Sequence, residues 1–160
     1  MFAFYYIDKE YCDFLRTFDP KVPELNYDEY DKFFCGVVLD VNGIRYYAPI
    51  SHDTHVQRTN LLIYDKGRAV SSIKFSFMIP VMQEKLLARL DFGEIAQKDP
   101  KYADLLRAEY RYCSTTQMQQ KIVAKANSVY RIGCNKNHRL NINCCQFDVL
   151  EAHMNEYGSE

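Results

Sequence analysis

Two apolar runs, Phe33–Val41 and Ile44–Ile50, meet at Asn42-Gly43. Asn-Gly accepts positive φ at both central positions of a tight turn, and the twist of that turn matches paired strands, so the runs are predicted to form an antiparallel hairpin. This pairing constrains where the polar groups at its open end can lie. It sets Lys32, before the first strand, beside Ser51, at the end of the second. The second strand then hands Ser51, His52, Asp53, Thr54 and His55 to a polar loop over 51–60. A rigid strand that delivers titratable groups to a loop is a common way to build an active site.

The remaining pattern is strands first and helices later. Residues 2–7 read as a strand and 8–17 as a short helix capped by Asp8, with Tyr11, Phe14 and Leu15 as its apolar stripe. Leu61–Tyr64 and Ala69–Phe77 read as strands joined by the turn Asp65-Lys66-Gly67, and Glu84–Leu90 as a short helix. Lys101–Ile132 carries one long helical pattern, weakest at Ser114-Thr115-Thr116 and ended by Gly133. Gln146–Tyr157 reads as a closing helix. The fold class expected is α+β, an antiparallel sheet flanked by helices with a helical C-terminal half, in a single domain over 1–160.

Several function classes are disfavoured. No stretch has the length and purity of a membrane-spanning helix, and MFAFYYIDKEY lacks the basic start of a signal peptide, so the expected location is cytoplasmic, with no membrane partner. The cysteines at 12, 35, 113, 134, 144 and 145 form no CxxC pair and read as reduced thiols. Cys134, His138 and Cys144 match no common zinc spacing. With no carboxylate cluster and no glycine-rich phosphate loop, neither a metal nor another cofactor is expected.

Charge is unevenly distributed. The formal net charge is −1, yet residues 1–31 hold eight acidic and three basic side chains. From 110 to 147 there are six basic side chains, Arg111, Lys121, Lys125, Arg131, Lys136 and Arg139, and no acidic one. A basic stretch on a nearly neutral chain suits a phosphate-backbone partner, although a solvated helix face has the same appearance. Lys21, Arg58, Lys74 and Ser76 are further candidate RNA contacts. In IKFSF, strand alternation sets Lys74 and Ser76 on one face against Ile73, Phe75 and Phe77.

The residues at the hairpin's open end suit RNA transesterification. The RNA's own 2′-hydroxyl attacks the adjacent phosphorus, so the protein needs no nucleophile. It must move protons and neutralise the phosphorane. His52 is the candidate acid or base, Ser51 and Lys32 the phosphate contacts, and Tyr27 and Thr54 the assistants. Two other readings stand beside this one. Arg131 and His138 resemble the R-x₄₋₆-H motif of HEPN ribonucleases, and a non-catalytic RNA-binding module would use the same basic stretch.

FAFYYI at the first strand, FDPKVP at 18–23, KFFCGVVLDVNGIRYYAPIS at 32–51 and FMIP at 77–80 together resemble the ToxN/AbiQ endoribonuclease toxins of bacterial type III toxin–antitoxin systems, including the CptN branch. The resemblance implies a strongly twisted, MazF/Kid-like antiparallel sheet. It implies a metal-independent ribonuclease that leaves 2′,3′-cyclic phosphate and 5′-hydroxyl ends. It also implies a small repeat-derived antitoxin RNA, a pseudoknot that the toxin cuts from a precursor and binds in a closed multi-copy assembly, with growth arrest or phage defence as outcome. By position it carries the family's lysine onto Lys32, its post-strand hydroxyls onto Ser51 and His52, and its upstream tyrosine onto Tyr27 or Tyr30. Two departures stand out. His52-Asp53-Thr54 follows Ser51 where relatives have hydroxyls and Pro-Lys, and Ser76 stands where relatives have lysine. How Ser51 and His52 divide the chemistry is left open.

Overall fold

A computed structural model describes residues 2–27 and 33–158. Its sheet is built from β1 (Phe4–Ile7), β2 (Cys35–Val41), β3 (Ile44–Ser51), β4 (Asn60–Asp65), β5 (Arg68–Lys74), β6 (Ile79–Pro80) and β7 (Leu87–Arg89). The order is β4-β5-β3-β2-β1-β7, with β6 also on β3, and every pairing is antiparallel. The hairpin forms at the predicted turn. Asn42 and Gly43 take φ of 53° and 77°, and the register runs from Val41↔Ile44 to Cys35↔Ile50.

β3 is the axis of the fold. Its other edge is shared by two short partners: β5 pairs at Ile50↔Ile73 and Ser51↔Ser72, and β6 at Tyr46↔Pro80 and Tyr47↔Ile79. Tyr46, Tyr47 and Ala48 are all buried. A strand covered on both faces reads as a continuous apolar run, as IRYYAPI does.

Among the described residues five α-helices complete the architecture: α1 (Lys9–Arg16), α2 (Phe92–Lys98), α3 (Pro100–Cys113), α4 (Thr116–Cys134) and α5 (Phe147–His153). Asp8 caps α1 by accepting from Tyr11 N at 2.9 Å, as its position predicts. The C-terminal half is fastened to β3 by a shared carboxylate. The hydroxyls of Tyr46 and Tyr130 donate to Glu151 Oε2 at 2.6 and 2.8 Å. None of the helices among the described residues is long and apolar enough to cross a membrane.

The element boundaries depart from the sequence reading in four places. The long helical pattern is two helices, because Thr115 takes extended backbone and caps α4 by accepting from Met118 N at 3.2 Å. Gly133 does not end α4, which continues to Cys134. The glycine is there because the Phe147 ring occupies the space a Cβ would fill. Glu84–Leu90 is one 3₁₀ turn followed by β7, since the free edge of β1 offers a ladder at Tyr5↔Arg89 to Ile7↔Leu87. Finally, β5 stops at Lys74, opposite the first residue of β4, and residues 75–77 form a 3₁₀ turn. The predicted alternation from Ile73 to Phe77 therefore ends at Lys74, and Phe75 and Ser76 are both buried.

Candidate active site

The end of the hairpin opens into a cleft of about 680 Å³. Ser51 supplies its floor from β3, with Lys74 beside it from the end of β5 and Ser76 and Phe77 from the turn after that strand. Asp53, Gln57, Arg58 and Thr59 line the loop side, and Leu140 and Asn143 come from the C-terminal half. The last two are brought in by the bond from Cys145 N to Ser76 O at 2.8 Å. Phe33 closes the wall with φ of 66°, a conformation that is costly for an aromatic residue, and its ring meets Phe77 edge-on at 5.7 Å.

The electrostatic centre is Lys74. It is 4% exposed, and Nζ donates to Asp53 Oδ2 at 2.6 Å and Gln57 Oε1 at 3.3 Å. Burial of an ammonium is tolerable because a carboxylate compensates it. Asp53 in turn accepts at Oδ1 from His55 N at 3.0 Å and faces His55 Nδ1 at 2.6 Å. The Lys74 bond first, and the His55 bonds next, hold the Asp53 carboxyl far below the usual carboxylate range. Two more contacts fix the loop: Asp53 N donates to Ser51 Oγ at 3.2 Å, and Ser72 Oγ donates to Asp53 O at 2.7 Å.

The residues predicted from sequence divide into three groups. Ser51, Lys74, Ser76 and Arg58 converge on the cleft. Lys32, with Tyr30, lies outside the described residues. The others do not line the cleft. His52 follows Ser51 at a bend just past the end of β3. Its ring meets Tyr102 of α3 edge-on at 5.9 Å rather than lining the cleft. Tyr27 has its hydroxyl engaged by β1, donating to Ile7 O at 2.6 Å and accepting from Ile7 N at 3.0 Å. Burial also raises this phenol above the usual tyrosine range, so it serves to anchor the chain. Thr54 is exposed in the loop, outside the cleft lining.

The basic candidates are similarly dispersed. Lys125 reaches the cleft loop, with Nζ donating to Arg58 O at 3.2 Å. Lys121 is one turn away on α4, whereas Arg131 is about 120° round the helix from Lys125. Arg111, Lys136 and Arg139 are exposed on α3 and beyond α4. Lys21 is half-buried and donates from Nζ to Cys144 O at 3.2 Å, tying the first loop to the C-terminal half. His138 lies past the end of α4, where its Nδ1 accepts from Leu140 N at 3.1 Å, so it shares no helix with Arg131. Among the described residues no three His, Cys, Asp or Glu side chains gather as a metal site would require.

Sequence reasoning assigned no role to Asp53. The available cue was its membership of the Ser51–His55 polar cluster, two residues beyond Ser51. Phe33, Gln57, Leu140 and Asn143 had no such signal, since they reach the cleft only through the tertiary fold.

Comparison with known proteins places this geometry. Residues 3–155 match the family described as toxin ToxN of type III toxin–antitoxin systems. The endoribonuclease ToxN of Bacillus thuringiensis subsp. kurstaki is 27% identical over 164 residues, spanning 96% of this chain and 83% of that one. The endoribonuclease ToxN of Pectobacterium atrosepticum is 25% identical over 169 residues, spanning 98% and 94%. Among solved structures, the chain is similar to one from a study of selective toxin inhibition by a non-coding RNA pseudoknot, at TM-score 0.86 and 25% identity over 99% of both chains. It shares its fold with AbiQ, a lactococcal anti-phage endoribonuclease, at TM-score 0.79 and 22% identity over 100% of this chain and 99% of that one. The twisted antiparallel sheet, its flanking helices and the matched length together make this chain a member of the ToxN/AbiQ family of type III toxin–antitoxin endoribonuclease toxins.

Proposed function

We propose that this toxin cuts RNA at preferred sequences in the Ser51–Lys74 cleft, by attack of the RNA 2′-hydroxyl on its own phosphorus. The products are a 2′,3′-cyclic phosphate and a 5′-hydroxyl, and no metal takes part. The observation that carries this reading is the convergence of Ser51, Lys74, Ser76 and Arg58 on one cleft. Two of the three N–H donors of Lys74 go to Asp53 and Gln57, which leaves a third for a phosphate oxygen. A positioned cation or donor of this kind contributes about 10²–10³ in rate. Lys32, outside the described residues, is proposed as a second cation for the phosphate.

The antitoxin in this reading is a small repeat-derived RNA pseudoknot. The toxin cuts it from a precursor and is silenced by it in a closed multi-copy protein–RNA assembly. Release of the toxin in the cytoplasm then arrests growth, as defence against phage. The support is the family, the relative studied with an inhibitory pseudoknot, and the exposed basic side chains of α3, α4 and the segment after them.

The test is cleavage of a defined single-stranded RNA pool in EDTA by the native chain and by Ser51→Ala, with the ends identified. Cyclic-phosphate ends that depend on Ser51 are expected. Binding without turnover by RNA-free native protein would move the chain to a non-catalytic role.

A further inference from the structure

We propose that His55, oriented by Asp53, is the general base that takes the proton from the attacking 2′-hydroxyl. The inference rests on the cleft being the RNA-cleaving site. Three observations carry it. First, His55 Nδ1 is 2.6 Å from Asp53 Oδ1. A carboxylate at Nδ1 holds that nitrogen as the N–H and leaves the lone pair on Nε2. Second, the His55 side chain stands outside the cleft lining but is 89% exposed next to Asp53, which does line it, so the ring is open to an RNA that enters past Asp53. Third, Asp53 is itself fixed, by Lys74 at its other oxygen and by Ser72 Oγ at its backbone carbonyl. The phosphate-binding ammonium and the imidazole are thus mounted on the two oxygens of one carboxylate. This matches a substrate whose 2′-hydroxyl and scissile phosphate belong to the same nucleotide.

In the step, Nε2 of His55 takes the O2′ proton as the O2′–P bond forms and the P–O5′ bond breaks. O5′ takes a proton from solvent, and His55 returns its proton to solvent, so the overall reaction neither gains nor loses protons. Among the described residues, Asp53 pairs with the imidazole, Lys74 holds the other oxygen of Asp53, and Lys125 bonds to the Arg58 carbonyl of the same loop. His52 instead sets its ring against Tyr102.

The experiment is kcat for a defined single-stranded RNA in EDTA across about pH 5–9, with native protein, Ser51→Ala, His55→Ala, His55→Gln and Asp53→Asn. His55→Ala and His55→Gln are expected to lose about 10²–10⁴ in kcat. Added imidazole should restore part of the His55→Ala activity, and both variants should lose the acid-side limb of the pH profile. Asp53→Asn should lower kcat as well, because the ring loses the carboxylate that holds Nδ1 as the N–H. Cleavage lost in Ser51→Ala but unchanged in rate and pH profile in His55→Ala would keep the cleft and remove His55. Loss of rate without imidazole rescue, with the limb in place, would reduce His55 to a loop anchor and overturn the proposal. Absence of cleavage by native protein would instead overturn the reading of the cleft, and the role of His55 with it.

Discussion

Lys74 Nζ and Asp53 Oδ2 are 2.6 Å apart across a sequence separation of 21 residues, and both face the cleft that Ser51 lines. The pair joins β5 to the loop after β3. The lysine is almost fully buried, whereas the aspartate side chain is 34% exposed.

Removing the carboxylate leaves a buried ammonium uncompensated. For a fully buried pair that costs about 3–5 kcal/mol. Solvent reaches Asp53, so about 1–3 kcal/mol is expected for Asp53→Ala. The pKa of Asp53 is depressed in the folded chain, so its contribution is present above the unfolded value and lost as pH falls through the folded one. Thermal melts from neutral to strongly acid pH check this. The gap in Tm between native chain and Asp53→Ala should be widest near neutrality and close as the pH falls. A gap that stayed constant with pH would remove the ion pair as its origin.

Glu109 on α3 predicts the opposite pH dependence. It is fully buried, Ser71 Oγ donates to Oε2 at 3.1 Å, and Oε1 has no hydrogen-bond partner. Burial pushes its carboxyl up to about 7, against the pull of the Ser71 bond. Here the folded value is raised. Stability from the neutral form is therefore complete below the unfolded value, near 4.3, and lost as pH rises through about 7. The loss is on the order of 2–3 kcal/mol. Glu109→Gln cannot ionise, so its stability should be flat from about pH 5 to 8, while the native chain weakens. Denaturant titrations at the two ends of that range give the comparison, and parallel curves would count against an ionising Glu109.

Gly133 tests the docking of α5. In an exposed helix interior Gly→Ala stabilises by about 1 kcal/mol. At this position the new methyl meets the buried Phe147 ring, and overpacking of that kind costs about 1–3 kcal/mol. Gly133→Ala should therefore lower Tm, and Gly133→Ala/Phe147→Leu should recover part of the loss. A Tm equal to or above that of the native chain would mean that α5 yields readily.

The hairpin, the capped α1 and the hydroxyl at the end of β3 were legible because each is set by local chemistry: an Asn-Gly turn, an Asp ahead of an apolar stripe, and strand parity. Strand parity stops at Ser51: the chain bends at His52, so parity does not tell that Asp53 lines the cleft while His52 meets Tyr102. β7, the early end of β5 and the reason for Gly133 were not legible. Each depends on a distant partner, respectively the open edge of β1, the point where β4 begins, and the ring of Phe147. Lys74 illustrates the same division. Its charge was readable, but its burial and its carboxylate partner are products of the fold.

The basic stretch gives the last prediction. As sequence it is one run from Arg111 to Arg139, but as structure its members face different ways. Lys125 touches the cleft loop through Arg58 O, whereas Arg131 is about 120° away round α4. An RNA strand lying in the cleft therefore passes Lys125 and not Arg131. Lys125→Glu should weaken binding of a short, non-cleavable single strand and reduce the steepness of its salt dependence by about one ion. Arg131→Glu should leave both nearly unchanged for that short strand. It should weaken binding only of a longer structured RNA that wraps beyond the cleft. Filter binding of the two RNAs over a range of salt separates these effects. Equal losses from both substitutions on the short strand would show a diffuse basic field instead of a path through the cleft.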